Sequence, residues 1–335
     1  ILSLLFGDDN FQKSLMIVNT AGWDTDCNSG NVGCILGIKN GLEGIKQGPD
    51  YITPVNDIIY LPTAYGSETM TDALLESQNI INITRKMNGL ESKVIKNNAR
   101  YNFEMETSTQ GWMVDKSNDN NLNTSLSNVD YKSDNGTRAL QVSFNDLSFG
   151  LASEIFVDSF FPEWFTKLEG YQVQRYFHYD YVACPIVYSG QKIKTEIISQ
   201  SEKDLRINLF IKYWGEEDKL IKLSSDDFNL RSKENNTIEW VVPDTFANPI
   251  GQIGISINSD DNVSLKYIKL TKYKFGSKIK LNLNKKNIGY GANIKKCIKY
   301  ALKNNYDYAA MLHGDNQYNP KYLSNMCDLI TKKEN

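Results

Sequence analysis

Hydrophobic and polar positions alternate in short segments through the middle of the chain. Each segment is rich in β-branched and aromatic residues and is bounded by clusters of Asn, Asp, Ser and Gly, which is typical of half-buried strands. The segments cover residues 139–144, 193–198, 206–214, 237–242, 250–257 and 264–270. Many short strands separated by turn signals predict an all-β sandwich over residues 101–275.

The first part of the chain has helical spacing instead. Apolar residues from Val32 to Ile45 lie between glycines that recur at steps of three and four, at positions 30, 33, 37, 41 and 44. They favour a buried helix whose glycine face closely approaches another helix, although a Gly-rich loop is the alternative. A second amphipathic helix is expected to run to about Met87, with Thr71 or Asp72 as its N-cap. We therefore expect a truncated all-α domain over residues 1–95.

The pattern changes again near Gly276. A short strand at 279–283, a Gly-rich turn at 287–293, an amphipathic helix and a buried strand at 308–312 follow in order. This order predicts a partial α/β, Rossmann-like segment over residues 278–335. Ligands of open α/β sheets bind beyond the carboxyl ends of the strands, which is where Asp315 lies. The chain is thus predicted to be multidomain.

Charge and cysteine content exclude some classes of function. The 37 basic and 40 acidic residues give a net charge of −3, which argues against a nucleic-acid partner. There is no apolar run of about 18 residues, so no membrane-spanning segment is expected. The five cysteines are odd in number and fit neither a zinc site nor a disulfide framework, which predicts reduced thiols and a cytoplasmic location.

The clearest candidate chemistry lies at Asp24-Thr25-Asp26-Cys27. Two carboxylates one residue apart in a turn can point at one cation, and oxygen ligands suit Mg²⁺. On a regular helix, residues at this spacing would not share a face. The run therefore predicts a metal-binding turn that opens into a helix, and the alternative is an acidic N-cap turn without a metal.

The run at 19–28, followed by Gly33, Gly37 and Gly41, resembles the C-terminal metal motif of the ADP-ribosylglycohydrolase family. The resemblance covers about residues 1–92. It implies an all-α fold, two Mg²⁺ ions and hydrolysis of the glycosidic bond of an ADP-ribosyl group. It also implies that Asp24 and Asp26 are metal ligands, with Thr25 and Cys27 beside them. A Thr often stands where this chain has Cys27, and a soft thiol is a poor ligand for Mg²⁺.

The family's other metal motifs are expected upstream of this run, outside the chain. The metal site is therefore predicted to be half of the family's site. A carboxylate from the other half would act as the base, so no catalytic residue can be named here.

A second resemblance joins 287–293, with its Asn287-x-Gly289-x-Gly291-x-Asn293 spacing, to 312–320. Together they resemble the core of a family 2 glycosyltransferase of the dolichol-phosphate-sugar synthase type. The resemblance implies that Asp315 binds Mg²⁺ or Mn²⁺ and the diphosphate of a nucleotide sugar. Asn287, Gly289 and Gln317 would complete the nucleotide-sugar site. His313 stands where the family has its first Asp.

The opening run from Phe103 to Trp112 and the closing run at 263–270 resemble the ends of a galactose-binding-like jelly roll over about residues 101–275. Such modules commonly bind carbohydrate. The candidate sugar-stacking residues are Trp164, Tyr176, Tyr179 and Trp214. The alternative is that these aromatic side chains fill the core of the sandwich.

The leading hypothesis is a Mg²⁺-dependent ADP-ribosylglycohydrolase-type hydrolase with an appended carbohydrate-binding sandwich. One alternative is a non-catalytic carbohydrate-binding module that carries enzyme remnants, and the other is a family 2 glycosyltransferase. The expected ligand is a small ADP-ribosyl or sugar molecule, or a glycan. The chain is expected to be either a fragment of a larger protein or a chimeric gene product.

Overall fold

A computed structural model of the chain describes residues 1–60, 70–93, 99–116, 124–133, 136–144, 152–173, 184–258 and 268–276, with Lys299 and Lys303. Contacts divide the chain into two compact units, residues 1–57 and residues from 58 onward. The predicted glycosyltransferase residues Asn287, Gly289, Asp315 and Gln317 lie outside the described residues and stay predictions. Within those ranges, no helix is long and apolar enough to cross a membrane.

The first unit contains three helices, α1 (Leu2–Phe6), α2 (Phe11–Asn19) and α3 (Thr25–Ile45). The side chain of Asn10 caps α2 by accepting a hydrogen bond from the Lys13 backbone N–H at 2.8 Å. A small core joins α2 to α3 through Phe11, Val18, Val32 and Leu36. The helix predicted to follow the aspartate turn is therefore present.

The expectation that five glycines form one close-approach face is wrong. A Cβ added at Gly33 would lie 3.8 Å from Phe11 and 3.9 Å from Leu15, but one added at Gly30 would meet nothing within 4 Å. Gly41 has φ of 65° and interrupts the helical backbone of α3. Val32 and Leu36 make the buried face of α3, so the glycine spacing does not set the packing.

The second unit opens with an antiparallel hairpin of β1 (Ile58–Tyr60) and β2 (Met70–Asp72), followed by α4 (Ala73–Met87). Asp72 is the N-cap of α4, and its Oδ1 accepts a hydrogen bond from the Leu75 N–H at 2.9 Å. The predicted helix and one of its two predicted caps are thus confirmed. The contacts divide the chain at Asp57, whereas the sequence changes character near residue 97, and the predicted domain boundaries stay predictions.

The rest of the second unit is a sandwich of two antiparallel sheets. Its strands are β3 (Met113–Val114), β4 (Thr124–Ser133), β5 (Gly136–Phe144), β6 (Ala152–Asp158), β7 (Lys192–Ser199), β8 (Leu205–Trp214), β9 (Leu220–Ser224), β10 (Phe228–Leu230), β11 (Asn235–Val241), β12 (Ile250–Asn258) and β13 (Ile268–Gly276). The five-stranded sheet has the order β11-β7-β13-β5-β4. The six-stranded sheet has the order β10-β8-β12-β6-β3, with β9 also paired to β8.

The core of the sandwich lies between the two sheets. Alternate residues of β6, β8 and β12 enter it, including Val157, Ile211 and Ile253. Tyr101 and Trp112 close one part of the core, with their rings edge-to-face at a centroid distance of 5.7 Å. All six predicted segments contain strands, so the all-β prediction for the middle of the chain is confirmed.

Candidate functional site

The six-stranded sheet brings three polar side chains together on the face opposite the core. Gln252 of β12 pairs in register with Asp158 of β6 on one side and with Lys212 of β8 on the other. Their sequence neighbours enter the core, and side chains alternate along a strand, so these three point to the outer face. We call Asp158, Gln252 and Lys212 the polar row.

The polar row contains a buried hydrogen-bond acceptor for which the described residues provide no donor. The Gln252 Nε2 donates to Asp158 Oδ1 at 3.0 Å. The Gln252 Oε1 is buried, and no hydrogen-bond partner for it exists in the described part of the chain. Gln252 is only 6% exposed. An unsatisfied buried acceptor costs about 1–3 kcal/mol, which makes this oxygen a candidate contact for a ligand that donates.

Asp158 is a carboxylate with an altered proton affinity. Burial raises its pKa to about 6, although the hydrogen bond from Gln252 and the charge of Lys212 act in the opposite direction. The charge of Glu163 raises the pKa further. Asp158 therefore changes protonation state close to neutral pH, and it can accept a hydrogen bond when ionised or donate one when protonated.

Two ammonium groups on this face are paired with carboxylates. Lys212 Nζ lies 2.8 Å from Asp115 Oδ2 and 5.7 Å from the ring centroid of Phe210. Lys222 of β9 pairs with Glu154 and lies 4.4 Å from the same ring centroid. The aromatic ring and the carboxylates thus hold both ammonium groups in place.

The surface of the sheet beside the polar row is apolar. Gly254 lies between Phe156 and Phe210 on adjacent strands, and the Phe210 ring occupies the space that a Cβ at Gly254 would need. Further along β8, the Oδ1 of Asn208 is a second buried acceptor without a partner within the described ranges. The face thus combines aromatic surface with a few polar groups, as small-molecule sites commonly do.

An aromatic turn, defined as residues 160–165, follows directly after Asp158 and Ser159. The Ser159 N–H donates to the Gly251 carbonyl at 2.8 Å, which ties the start of the turn to β12. The rings of Phe161 and Phe165 stack at 4.4 Å, and the Trp164 ring packs against Phe165 at 5.9 Å. Trp164 remains 45% exposed. The turn begins two residues after Asp158, so it starts next to the polar row in the chain.

The structure places two of the four predicted sugar-stacking residues. Trp164 is exposed on the aromatic turn, as a stacking platform must be. Trp214 lies on the same outer face but is buried, and a Cβ added at Gly251 would lie 2.8 Å from its Nε1. Its ring therefore packs against the outer face of the sheet and is too buried to serve as a stacking platform, although it does not belong to the core of the sandwich. Tyr176 and Tyr179 lie outside the described residues.

The predicted metal turn has its ligand atoms close together. One ligand atom from each of Asp24, Asp26 and Cys27 lies within 4.8 Å of the others, and all three residues are exposed. Asp24 adopts a left-handed conformation (φ 45°) and makes no side-chain cap to α3, which begins at Thr25. A hydrogen bond and the charge of Asp24 raise the pKa of the Cys27 thiol. The two carboxylates fit a hard divalent cation, whereas the protonated thiol does not.

No family model matches the sequence, and no curated protein matches it. Several solved structures resemble its sandwich. One is a carbohydrate-binding module of the β-sandwich superfamily, 17% identical, with a TM-score of 0.40 over 56% of this chain and 65% of that chain. The chain therefore covers less than two thirds of this first match.

Two further matches come from bacterial xylanases. The CBM22-1 xylan-binding domain of Paenibacillus barcinonensis Xyn10C is 9% identical, with a TM-score of 0.35 over 52% of this chain and 90% of that chain. The CBM22-1–GH10 modules of Clostridium thermocellum Xyn10B, complexed with xylohexaose, are 14% identical, with a TM-score of 0.34 over 53% of this chain and 28% of that chain. These similarities are too distant to identify a ligand. A ligand therefore has to be inferred from the side chains of the sheet.

Proposed function

We propose that the β-sandwich is a carbohydrate-binding module that binds its ligand on the polar row. The observation that carries this proposal is the buried Oε1 of Gln252, which lies between Asp158 and Lys212 and has no hydrogen-bond partner among the residues that the structure describes. A sugar hydroxyl both donates and accepts hydrogen bonds. One hydroxyl can donate to Gln252 or Asp158 while its neighbour accepts from Lys212, and water would then be excluded from the row.

The aromatic turn supports the same ligand class. The C–H face of a pyranose ring is apolar and stacks on aromatic side chains, while its rim carries hydroxyl groups. Trp164 offers an exposed ring on the turn that follows Asp158, and packing on Phe165 holds this ring. A rigid aromatic platform loses little conformational entropy on binding, so stacking adds affinity at small cost.

The test is to screen the full chain against a panel of oligosaccharides and to measure the affinity of those it binds by isothermal titration calorimetry. We expect Trp164→Ala to weaken binding about tenfold or more, because it removes the stacking surface. Phe246→Ala is the matched control, since Phe246 is another exposed aromatic residue in the same unit. Binding of no oligosaccharide, or equal loss in both variants, would contradict the proposal.

The second candidate function is divalent-cation binding at the metal turn, as in a hydrolase of the ADP-ribosylglycohydrolase type. The specific observation in its favour is the convergence of Asp24 and Asp26 within 4.8 Å. These two carboxylates would hold the ion. A bound Mg²⁺ would orient a water and polarise the substrate for hydrolysis of a glycosidic bond.

This second candidate is tested by titrating the chain with Mg²⁺ alone and with Mg²⁺ plus ADP-ribose. The combined substitution Asp24→Asn with Asp26→Asn is expected to abolish the heat of Mg²⁺ binding. The matched control is Asp8→Asn with Asp9→Asn, which removes the same charge from two exposed aspartates of the first unit. Identical titrations for the two double variants would exclude a metal role for the turn.

A further inference from the structure

We propose that the polar row selects uncharged sugars and rejects sugars that carry a carboxylate or sulfate group. This inference rests on the proposed carbohydrate-binding function and specifies its ligand class. Two observations support it. One is the balance of charge on this face of the sheet, and the other is that the Gln252 Oε1 is an acceptor still in need of a donor within the described ranges.

Among the residues that the structure describes, the fixed charge around the polar row is negative. The row and its surroundings carry the carboxylates of Asp115, Glu154, Asp158 and Glu163. Within the described ranges, three ammonium groups oppose these four carboxylates, and each is already paired: Lys212 with Asp115, Lys222 with Glu154 and Lys167 with Glu163. An anionic ligand would therefore meet the Asp158 carboxylate while all three of these cations are engaged by other carboxylates, which is unfavourable in a partly desolvated site.

The unmade hydrogen bond points to the same ligand class. Gln252 presents a buried acceptor, and its own Nε2 is used by Asp158. Hydroxyl groups can donate to this oxygen, whereas a ligand carboxylate or sulfate brings only acceptors. An anionic group placed here would leave Gln252 Oε1 unsatisfied as well as repelling Asp158, and polar sites discriminate strongly against ligands that leave buried groups unpaired.

The protonation state of Asp158 allows this selectivity to be tested by changing the pH. The groups that face it are Gln252 from β12, Lys212 from β8, Glu163 from the aromatic turn and the buried Tyr101, whose pKa the charge of Asp158 helps to raise. With a pKa of about 6, Asp158 is ionised at about pH 8 and protonated at about pH 5. A sugar carboxylate stays ionised at both values. Rejection of anionic sugars is therefore expected to be stronger at the higher pH.

The experiment uses matched pairs of probes, namely cello-, manno- and galacto-oligosaccharides and their counterparts in which the C6 hydroxymethyl group is oxidised to a carboxylate. Affinities for the full chain are measured by calorimetry at about pH 8 and about pH 5. For each pair that binds, we expect the neutral member to bind about tenfold tighter or more at the higher pH. The ratio should shrink at the lower pH.

Two variants test whether the preference for neutral sugars depends on Asp158. Asp158→Asn keeps the shape of the side chain and removes its charge, and it should reduce the preference for the neutral member to about threefold or less at the higher pH. Glu234→Gln removes the same charge from an exposed position beside β11 in the other sheet, and it should leave the preference unchanged. Circular dichroism of both variants checks that they are folded.

Each outcome is decisive. Equal or tighter binding of the carboxylated members at about pH 8 overturns the selectivity but leaves carbohydrate binding standing. A preference that Asp158→Asn does not reduce overturns the assignment to the polar row. If no oligosaccharide of the screening panel or of these pairs binds, the proposed function fails, and the selectivity falls with it.

Discussion

Arg100 and Asp72 form a buried ion pair that joins the start of α4 to the chain segment leading into the sandwich. The side chain of Arg100 is 17% exposed and that of Asp72 is 2% exposed. Gln110 Nε2 also donates to Asp72 Oδ1, at 3.1 Å, and the same oxygen caps α4. One carboxylate thus serves a helix cap, an ion pair and an amide, so α4 and the segment at 99–112 are parts of one network.

Replacing Arg100 with Met should therefore destabilise the second unit strongly. The substitution leaves the Asp72 carboxylate buried without its counter-charge, and breaking such pairs costs about 3–5 kcal/mol. Urea denaturation followed by circular dichroism measures the loss in the free energy of unfolding. The control is Lys233→Met, which breaks an exposed pair with Glu202 and should cost less than about 1 kcal/mol. Similar losses of unfolding free energy for the two variants would show that burial does not strengthen the Arg100–Asp72 pair.

The raised pKa of Asp158 predicts a pH-dependent effect on stability. Because the folded-state pKa of about 6 lies above the ordinary value of 3.8, the folded state binds this proton more tightly than the unfolded state. Ionisation of Asp158 therefore lowers the free energy of unfolding as pH rises from about 4 to about 6, by roughly 3 kcal/mol in total. Relative to the wild type, Asp158→Asn should gain unfolding free energy across this range.

Urea denaturation of both proteins at about pH 4 and about pH 8 measures this difference. Glu234→Gln again serves as the control, because its exposed carboxylate has no comparable burial. A stability difference between Asp158→Asn and the wild type that is the same at both pH values would show that Asp158 titrates normally. The expected gain fits a site residue whose conformation is held for ligand binding at the expense of stability.

The close contact at Gly254 predicts a large effect from one added methyl group. In Gly254→Ala the new Cβ would lie 2.5 Å from the Ile155 carbonyl oxygen and would overlap the Phe210 ring. Backbone and ring have to shift in the middle of the sheet, which should cost about 2 kcal/mol or more. Moving Phe210 also displaces Lys212 and Lys222, which lie over its ring, so carbohydrate affinity should fall together with stability.

Gly30→Ala is the contrasting substitution, since a Cβ there meets nothing within 4 Å in helix α3. It should stabilise the first unit by about 0.5–1 kcal/mol, because alanine restricts the unfolded chain. Thermal unfolding of the two variants provides the measurement. A Gly254→Ala variant as stable as the wild type would mean that the sheet accommodates the methyl group without strain.

Local features of this protein were predictable from the sequence because they depend on near neighbours. The alternation of residues 206–214 and 250–257 identified β8 and β12, and Asp72 was recognised as a helix cap from its position before an amphipathic run. The metal turn is a run of adjacent residues, so the sequence could single out its carboxylates as a pair, and the structure places their ligand atoms within 4.8 Å of each other. The glycine face failed because glycine spacing does not say which side of a helix finds a partner.

By itself, the sequence determined that the middle of the chain is made of strands and which residues alternate along them. Only the tertiary structure decided that Gln252 meets Asp158, 94 residues earlier in the chain, with Lys212 on its other side. Alternation assigns a residue to one of two faces, but strand order and register select its neighbours, and these depend on packing between distant segments. The same packing buried Trp214 and left Trp164 exposed, although the sequence made them equal candidates.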